Sequence, residues 1–408
     1  MNSASATLEP FNPFSEALHS DPYAVYASYR SRDPVHRGLA SAPGYPESWY
    51  IFTYEHVLEI LKEERISNER QAISSGQMTP SQLLFYEALS HWLLFRDPPV
   101  HSRHRRLLSS AFSARNFAGW KTEIEEISTR RVQAMIGSTQ ADITHDCFRV
   151  VPLEVIAKIL GLDILDIDTM LEFTDSFARA LDFRTDPSVF DRAAKNIKAL
   201  DALLIPQIES RRTQAREDLL SRLVEANQEA QFSDRELVYV VMLILTAGYE
   251  TTINQMGNGF IALMHDRPQW ELLCRNEVKM NNAVHELIRF DPALQVMSRS
   301  VLEDVKIGGK LIRAGDDLNL MFGSANRDPS MFEQPEKLDL ARANANRNLT
   351  FGHGLHFCIG AQLARMETVA VLEALIEQCP RIRLDESRPV RWKNHISLRG
   401  PQSLPVVV

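Results

Sequence analysis

Cysteine is scarce in this chain, and no two cysteines form a C-x-x-C pair. The four cysteines, Cys147, Cys274, Cys358 and Cys379, lie far apart along 408 residues. This spacing argues against a disulfide framework and against a structural zinc site. The sequence therefore predicts a protein of a reducing compartment, the cytoplasm.

Segments typical of export, membranes and nucleic-acid binding are also missing. Residues 1–14 contain no basic stretch followed by an apolar run, so we expect no signal peptide. The longest apolar run, Leu237–Leu245, has about half the length of a membrane span, so we expect no membrane association. With 45 basic against 53 acidic residues and no basic tract, the chain is a poor candidate for binding nucleic acid.

No Gly/Ser-rich linker, internal repeat or low-complexity tract divides the chain, although its length exceeds that at which a single core usually stops growing. We predict one large domain over residues 21–408, and a monomer. Residues 1–20 are predicted to form an N-terminal segment that is poorly structured at its start. No G-x-G-x-x-G fingerprint occurs, so no bound flavin or NAD is expected.

The periodicity of apolar residues predicts a mainly α protein with small β-sheets, an α+β fold. Residues Tyr50–Phe52 and Val305–Ile312 read as a strand and a hairpin. The clearest helix is Asp234–Met264, opened by a capping box of Ser233 and Glu236. At 1.5 Å per residue it is roughly 45 Å long, and its apolar middle predicts a buried central helix.

One cysteine lies in a glycine-rich, aromatic bend. The segment FGHGLHFCIG, residues 351–360, contains Cys358 and leads into a predicted helix at Gln362–Gln378. Helix-end N–H groups stabilise a thiolate, the form of cysteine that binds metals. The glycines allow a flat group to approach the backbone, and Phe351 and Phe357 can shield it from water. A buried structural cysteine is the alternative interpretation.

A second unusual segment, AGYETT at residues 247–252, lies in the middle of the central helix. Glycine, an acid and hydroxyls oppose helix propensity and burial there. A bond from the Thr251 hydroxyl to the carbonyl of Ala247 is predicted to open the helix near Gly248, leaving a groove for O₂ and water. The alternative is a helix kink without chemistry.

Together these segments resemble the cytochrome P450 superfamily, from about Asp21 to the C-terminus. F-G-x-G-x-H-x-C-x-G is similar to its haem-thiolate loop and A-G-x-E-T-T to its oxygen-activating helix. The sequence departs from the family pattern at Leu338, where an aromatic residue is usual, and at Asn348, where histidine is common. The resemblance implies a P450 fold, a single large haem-binding domain with a long central helix.

The resemblance also implies roles for individual residues. Cys358 would be the axial ligand of the iron of haem b, with O₂ as co-substrate, and Glu250 and Thr251 would relay protons to O₂. The other expected residues are haem contacts at Phe351, Ala247 and Gly248; propionate contacts at His101, Arg105, Arg299 and His356; and structural supports of the haem loop at Glu286, Arg289 and Arg342.

The substrate is less well defined by the sequence. By analogy with the family, the expected pocket residues are mainly apolar: Phe85, Leu243, Ile244, Leu294, Val296, Met297 and Ile396. They predict a medium-sized hydrophobic substrate under a mobile lid at residues 169–187, with Gln295, Asn394 or His395 available to orient it. Soluble bacterial relatives suggest secondary-metabolite biosynthesis, with a substrate that is sometimes tethered to a carrier protein.

The implied reaction is monooxygenation, the insertion of one atom of O₂ by hydroxylation or epoxidation. Because the chain has no flavin or dinucleotide fingerprint, electrons are expected from an external ferredoxin-type partner. A basic patch of Arg103, Arg106, Arg115 and Arg365 would receive that partner. Two alternatives stay open: a thiolate-haem enzyme that couples radicals without inserting oxygen, and a non-catalytic haem-binding sensor.

Overall fold

The computed structural model describes residues 8–40, 46–69, 78–138, 140–162, 167–181, 188–230 and 232–408. Helices dominate these residues. The helices are α1 (Glu16–Ser20), α2 (Pro22–Arg32), α3 (Tyr54–Ile60), α4 (Pro80–Ser90), α5 (Val100–Ala111), α6 (Ala114–Ile136), α7 (Val150–Leu160), α8 (Ile167–Ala180), α9 (Ser188–Thr213), α10 (Leu219–Ala230), α11 (Asp234–His265), α12 (Arg267–Cys274), α13 (Met280–Phe290), α14 (Phe322–Ala325) and α15 (Ala361–Gln378).

The strands are short and gather mainly in one sheet. They are β1 (Val35–Gly38), β2 (Ser48–Ile51), β3 (Ile66–Ser67), β4 (Val296–Val301), β5 (Val305–Ile307), β6 (Lys310–Ile312), β7 (Asp317–Met321), β8 (Arg383–Leu384), β9 (Arg391–Trp392), β10 (Pro401–Ser403) and β11 (Val406–Val407). The five-stranded sheet has the order β1-β2-β7-β4-β3, and the remaining strands form two-stranded pairs. The fold is thus mainly α with small sheets, as predicted.

The predicted central helix is α11, and it begins and ends within one residue of the prediction. Its capping box is present, with the Ser233 hydroxyl accepting from the Glu236 backbone and the Glu236 side chain accepting from the Ser233 backbone. Within the described part of the chain, α11 is the one helix long and apolar enough to cross a membrane, but 72% of that apolar window is buried inside the protein. A buried core helix has the same composition as a membrane span.

The hairpin predicted near residue 305 is also present. Strands β5 and β6 pair antiparallel, joined at Gly308 and Gly309. These two residues have φ of +54° and +78°, a backbone region that glycine enters without strain. At Tyr50–Phe52 the strand ends one residue earlier than predicted, because Phe52 leaves β2 to pack into an aromatic cluster.

The described part of the N-terminal segment is packed against the domain. Phe11 is buried, its ring contacting Tyr29, Tyr50 and Phe52, and it bridges to Gly38. The first seven residues, where poor structure was predicted, lie outside the described residues.

Two helices of the core carry the unusual sequence segments. Helix α15, which follows the cysteine bend, packs along α6 and contacts α13 and α11. The C-terminal hairpin of β9 and β10 closes against α11 on another side. The cysteine bend and the AGYETT segment are therefore both attached to the helical core.

Candidate functional site

The cysteine bend has the conformation that its glycines suggest. Gly352 and Gly354 have φ of +73° and +65°, and the N–H of Cys358 donates to the carbonyl of Phe351 at 2.8 Å. The backbone N–H groups of Gly360 and Ala361, at the start of α15, lie close enough to the Cys358 sulfur to lower its pKa.

Two opposing effects act on the Cys358 thiol. Desolvation raises the pKa of this thiol above its ordinary value, and the N–H of Gly360, the charges of Arg105 and Arg365, and the N–H of Ala361 offset only part of that rise. These donors and cations stabilise negative charge on sulfur. They are the partners that a metal-bound thiolate needs, although the thiol by itself stays protonated at neutral pH.

The surfaces beside this cysteine are apolar and open. Leu355 and Phe357 are 49% and 40% exposed, which is unusual for large apolar side chains. Ala247 and Gly248 are exposed although the turn of α11 before them is buried, and a Cβ on Gly248 would meet no atom of the described residues within 4 Å. These features leave room for a flat apolar group.

Histidine donors converge next to the cysteine bend. The rings of His101 and His356 lie 4.2 Å apart, centre to centre. His101 is fully buried, and within the described part of the chain neither of its ring nitrogens has a hydrogen-bond partner; the Nε2 of His356 has none there either. Burial above all, then the charges of His101 and Arg299, lowers the pKa of His356 to about 3. Buried nitrogens of this kind require a ligand group to satisfy them.

Arg299 completes the charge of this cluster. It lies on β4, almost fully buried, and its influence on the pKa of His356 places its charge near that ring. Asp97 approaches from the other side, with its Oδ1 3.9 Å from the Nε2 of His356. A cation and histidine donors beside a thiol suit an iron-bearing group with anionic arms, so these residues fit haem.

Arg105 takes a different position from His101, although the two share one face of α5. Its guanidinium bonds the backbone of the cysteine bend at Phe357. Burial lowers its pKa, whereas the nearby Cys358 raises it. Arg105 is therefore held by the bend itself, next to the cysteine.

The acid and two arginines expected behind the bend form a buried cluster. Arg289 donates to both oxygens of Glu286, at 2.7 and 2.8 Å, and Arg342 Nε lies 3.0 and 3.1 Å from the same oxygens. The arginines also donate to several backbone carbonyls between Asn326 and Lys337. The cluster thus fixes the chain segment that leads to the cysteine bend.

The AGYETT segment differs from expectation in one respect. The Thr251 hydroxyl donates to the carbonyl of Ala247 at 2.8 Å, as predicted, but α11 runs through Gly248 as an unbroken α-helix. A carbonyl oxygen has two lone pairs, so it can accept the hydroxyl without losing its backbone bond. At Gly248 the side-chain packing around α11 is therefore open, whereas the backbone of the helix is continuous.

Glu250 has a partner that the sequence did not suggest. The ammonium of Lys393 lies 2.6 Å from its Oε1 and 2.8 Å from the Oδ1 of Asn254. Lys393 follows β9, 143 positions away along the chain. The sequence does not distinguish Lys393 from the other lysines of the chain, so it did not predict this contact.

The predicted pocket residues fall into three groups. Phe85 is core, its ring packed against Phe177 and Phe190 at 5.2 and 5.4 Å. Leu243 and Ile244 are buried on α11, in the turn before Ala247. The rest lie around β4 and the β9–β10 loop: Leu294, Val296, Met297 and Ile396.

Two cavities border that last group. Val296 and Ile396 line a small one, together with Phe11 and Met321. Ile396 also lines a second one, between residues 13–26 and the loop at 393–399. The lid predicted at residues 169–187 lies partly outside the described residues, since 182–187 are not described.

The four arginines of the predicted partner patch have unequal surroundings. Arg106 and Arg115 are exposed. Arg103 lies over the Phe232 ring, 4.0 Å from its centre, and Arg365 over Phe351 at 5.5 Å. Of the four, only Arg106 and Arg115 present their charge mainly to solvent.

Comparisons with known proteins agree with this geometry. The model of the family described as Cytochrome P450 matches residues 43–395. The chain is 31% identical to the polyketide biosynthesis cytochrome P450 PksS of Bacillus subtilis, over 97% of this chain and 98% of the relative. It is 33% identical to the cytochrome P450 monooxygenase PikC of Streptomyces venezuelae, over 95% and 91%.

A solved structure is also similar throughout. It is that of P450BioI in complex with an acyl carrier protein ligated to hexadec-9Z-enoic acid, with a TM-score of 0.88 and 28% identity over 97% of this chain and 100% of that one.

Proposed function

The chain belongs to the cytochrome P450 family of haem b monooxygenases, and we propose that it inserts one atom of O₂ into a medium-sized hydrophobic substrate in secondary-metabolite biosynthesis. The product is an alcohol or an epoxide. Electrons come from an external ferredoxin-type partner, and the protein acts as a cytoplasmic monomer.

One observation carries the proposal: a thiol next to helix-end N–H groups lies beside buried donors that have no hydrogen-bond partner among the described residues. Cys358 supplies the thiol, and His101 and His356 supply the donors. A haem needs both, because its iron takes a thiolate ligand and its two carboxylate arms need charged or hydrogen-bonding partners. Arg299 adds the positive charge.

The residues have separate tasks in this proposal. Bound haem supplies the oxidising chemistry that activates O₂ for insertion. Cys358 is the iron ligand, and the N–H groups of Gly360 and Ala361 hold its charge. His101, His356 and Arg299 bind the carboxylate arms. Thr251 and Glu250, next to the exposed Ala247 and Gly248 of α11, would hold and pass protons.

The substrate class rests on the apolar walls and on the relatives. Val296 and Ile396 line a cavity in which most other side chains are also apolar. PksS is described as an enzyme of polyketide biosynthesis, and P450BioI binds a fatty acid ligated to a carrier protein. We therefore include a carrier-tethered acyl or polyketide chain among the substrates of this enzyme.

The redox partner is proposed to dock at the exposed cations Arg106 and Arg115. Charge complementarity chiefly raises the rate of encounter, and salt screens it. Reversing both charges should slow reduction of the haem at low ionic strength and have little effect at high ionic strength. Equal rates at both ionic strengths would remove these two residues from the docking surface.

Turnover under isotopically labelled O₂ tests the reaction. Label in the product supports monooxygenation. Product without label, with hydrogen lost from the substrate, supports oxidative coupling, and haem binding without any turnover supports a sensor. Substrates for this test are found by screening hydrophobic metabolites, free and carrier-bound, for a shift in the spin state of the haem iron.

The haem assignment has its own test. The reduced, carbon monoxide-bound protein should have the Soret band of a thiolate-ligated haem, and Cys358→Ser should lose it. Cys274→Ser serves as the matched control, because Cys274 lies at the end of α12 and is half-buried. A thiolate-type band in Cys358→Ser would exclude Cys358 as the ligand.

A further inference from the structure

The carboxylate of Glu250 is held by a short ionic contact from outside its own helix. Its Oε1 receives the ammonium of Lys393 at 2.6 Å and the side-chain amide of Asn254 at 3.3 Å. Neither contact uses Oε2. The Glu250 and Lys393 side chains are both mostly buried, so water screens this pair less than a surface pair.

Asn254 makes the contact more specific. It is fully buried on α11, one turn after Glu250, and its Oδ1 accepts from Lys393 at 2.8 Å. The ammonium therefore bonds two acceptors that belong to one face of α11. Two fixed partners restrict the lysine to a narrow range of positions.

Two glycines, which have no side chain, let the hairpin that carries Lys393 pack closely against α11. A Cβ on Gly400 would collide with the side chain of Asn254, and one on Gly257 would collide with the ring of Pro401. The N–H of Lys393 donates to the carbonyl of Gly400 at 3.0 Å, which closes the loop. Close packing through two glycines thus delivers the ammonium to Glu250.

Further charged groups surround the pair. Arg149, where α7 begins, donates to Asp175 of α8 at 2.8 Å and to the Tyr249 hydroxyl at 3.2 Å. Burial first, and then the charge of Glu250, raises the pKa of Asp175, whereas Arg149 and Lys393 act against this. Carboxylates and cations from α8, α11 and the hairpin therefore lie near one another around Glu250 and Lys393.

The pair also has a connection to solvent. Lys393 lines the cavity that lies between residues 13–26 and the loop at 393–399. Glu250 thus contacts a lysine that borders this cavity, and it lies on α11 within one turn of the exposed residues Ala247 and Gly248. A carboxylate at this point is placed to carry protons from one side to the other.

We propose that Lys393 is a positioning residue for proton delivery: it holds Glu250 through Oε1 and leaves Oε2 to exchange protons. This rests on the proposed monooxygenation, in which RH, O₂, two electrons and two protons give ROH and H₂O. When protons arrive at the wrong time or place, the same two electrons and two protons convert O₂ to H₂O₂, and no product forms.

The first test measures H₂O₂ released per NADPH oxidised by the holoenzyme with a surrogate ferredoxin and its reductase. Hexadec-9Z-enoic acid is the probe, and the assay is repeated without it. Lys393→Met should raise the H₂O₂ fraction about threefold or more, and Lys393→Arg should restore it. Lys310→Met is the matched control, because it removes a lysine that pairs with a different carboxylate, that of Asp33, at 2.5 Å. An unchanged H₂O₂ fraction in Lys393→Met would overturn the proposal.

The second test does not depend on turnover. The infrared carboxylate band of Glu250, identified by difference from Glu250→Gln, should shift in Lys393→Met and stay in place in Lys310→Met. The denaturation midpoint of the Glu250→Gln, Lys393→Met double variant should change by less than the sum of the single changes. No shift together with additive midpoints would mean that Lys393 does not hold Glu250.

The two tests distinguish failure of the proposed function from failure of the positioning role of Lys393. If wild type incorporates no label from O₂, the proposed function fails, and the infrared result still decides whether Lys393 holds Glu250. If label is incorporated but the H₂O₂ fraction is indifferent to Lys393, only the positioning role fails.

Discussion

The guanidinium of Arg105 donates a 2.6 Å hydrogen bond to the carbonyl oxygen of Phe357, the residue directly before Cys358. This contact ties α5 to the cysteine bend and holds a positive charge beside the sulfur. Arg105 is also predicted to bind a haem propionate, and the bond holds its charge near the sulfur of Cys358, the proposed iron ligand.

Arg105→Gln should therefore make the haem iron harder to reduce. Loss of the cation removes a stabilising influence on the electron-rich state, and a change of about 1 kcal/mol corresponds to roughly 40 mV for one electron. Spectroelectrochemical titration measures the shift, which should be to more negative potential. Arg106→Gln is the control, because the neighbouring Arg106 is exposed. Equal potentials for both variants would contradict the assignment.

Glu286→Gln should destabilise the protein strongly. The substitution leaves Arg289 and Arg342 buried without a countercharge, and breaking such a cluster costs about 3–5 kcal/mol. Denaturant unfolding measures the loss. Asp304→Asn removes the carboxylate of an exposed pair with Arg313 and should change the free energy of unfolding far less. Similar losses in both variants would exclude a special role for the buried cluster.

Glu367 should make stability fall as pH rises. It is buried on α15, and burial raises its pKa from 4.5 to about 8. Between these values the unfolded chain releases this proton and the folded chain keeps it, so the free energy of unfolding decreases by up to about 1.4 kcal/mol per pH unit from this group.

The Glu367→Gln variant should lose that slope. Its advantage over wild type should grow from pH 5 to pH 8 in denaturant titrations. Glu377→Gln, exposed on the same helix, should run parallel to wild type over the same range. Parallel curves for Glu367→Gln as well would mean that Glu367 is ionised in the folded protein at these pH values.

Two glycines in helices should respond in opposite directions to alanine. Gly257→Ala places a methyl group against Pro401 and should cost about 1–3 kcal/mol by overpacking. Gly119→Ala on α6 meets no atom within 4 Å and should stabilise by about 0.5–1 kcal/mol, because alanine favours the helix. Thermal unfolding distinguishes the two. A stable Gly257→Ala protein would show that the hairpin can move away from α11 at little cost.

The sequence predicted features whose information is local. The start of α11 followed from Ser233 and Glu236, and the start of α15 from the periodicity after Cys358. The cluster of Glu286, Arg289 and Arg342 followed from resemblance to a family in which these positions are paired. In each case the residues lie on one helix or in a recognisable motif.

Features that depend on packing between distant segments were missed. Lys393 meets Glu250 only because Gly257 and Gly400 let the hairpin approach α11, and nothing near residue 393 indicates this. The contacts of Phe85 with Phe177 and Phe190 likewise depend on how neighbouring helices pack, and its place in the substrate pocket stays a prediction. The burial of Glu367 was not predicted, because it depends on the helices that pack against α15 and not on the sequence around it.

The hairpin of β9 and β10 has a practical consequence for engineering. Ile396, which borders both cavities, is only three positions from Lys393 in the same closed loop. A mutant library that randomises this loop to redirect regioselectivity will alter the yield per reductant at the same time. Libraries should therefore keep Lys393 and Gly400 constant. If each variant is assayed both for product and for NADPH oxidised without product, regioselectivity and yield per reductant can be selected separately.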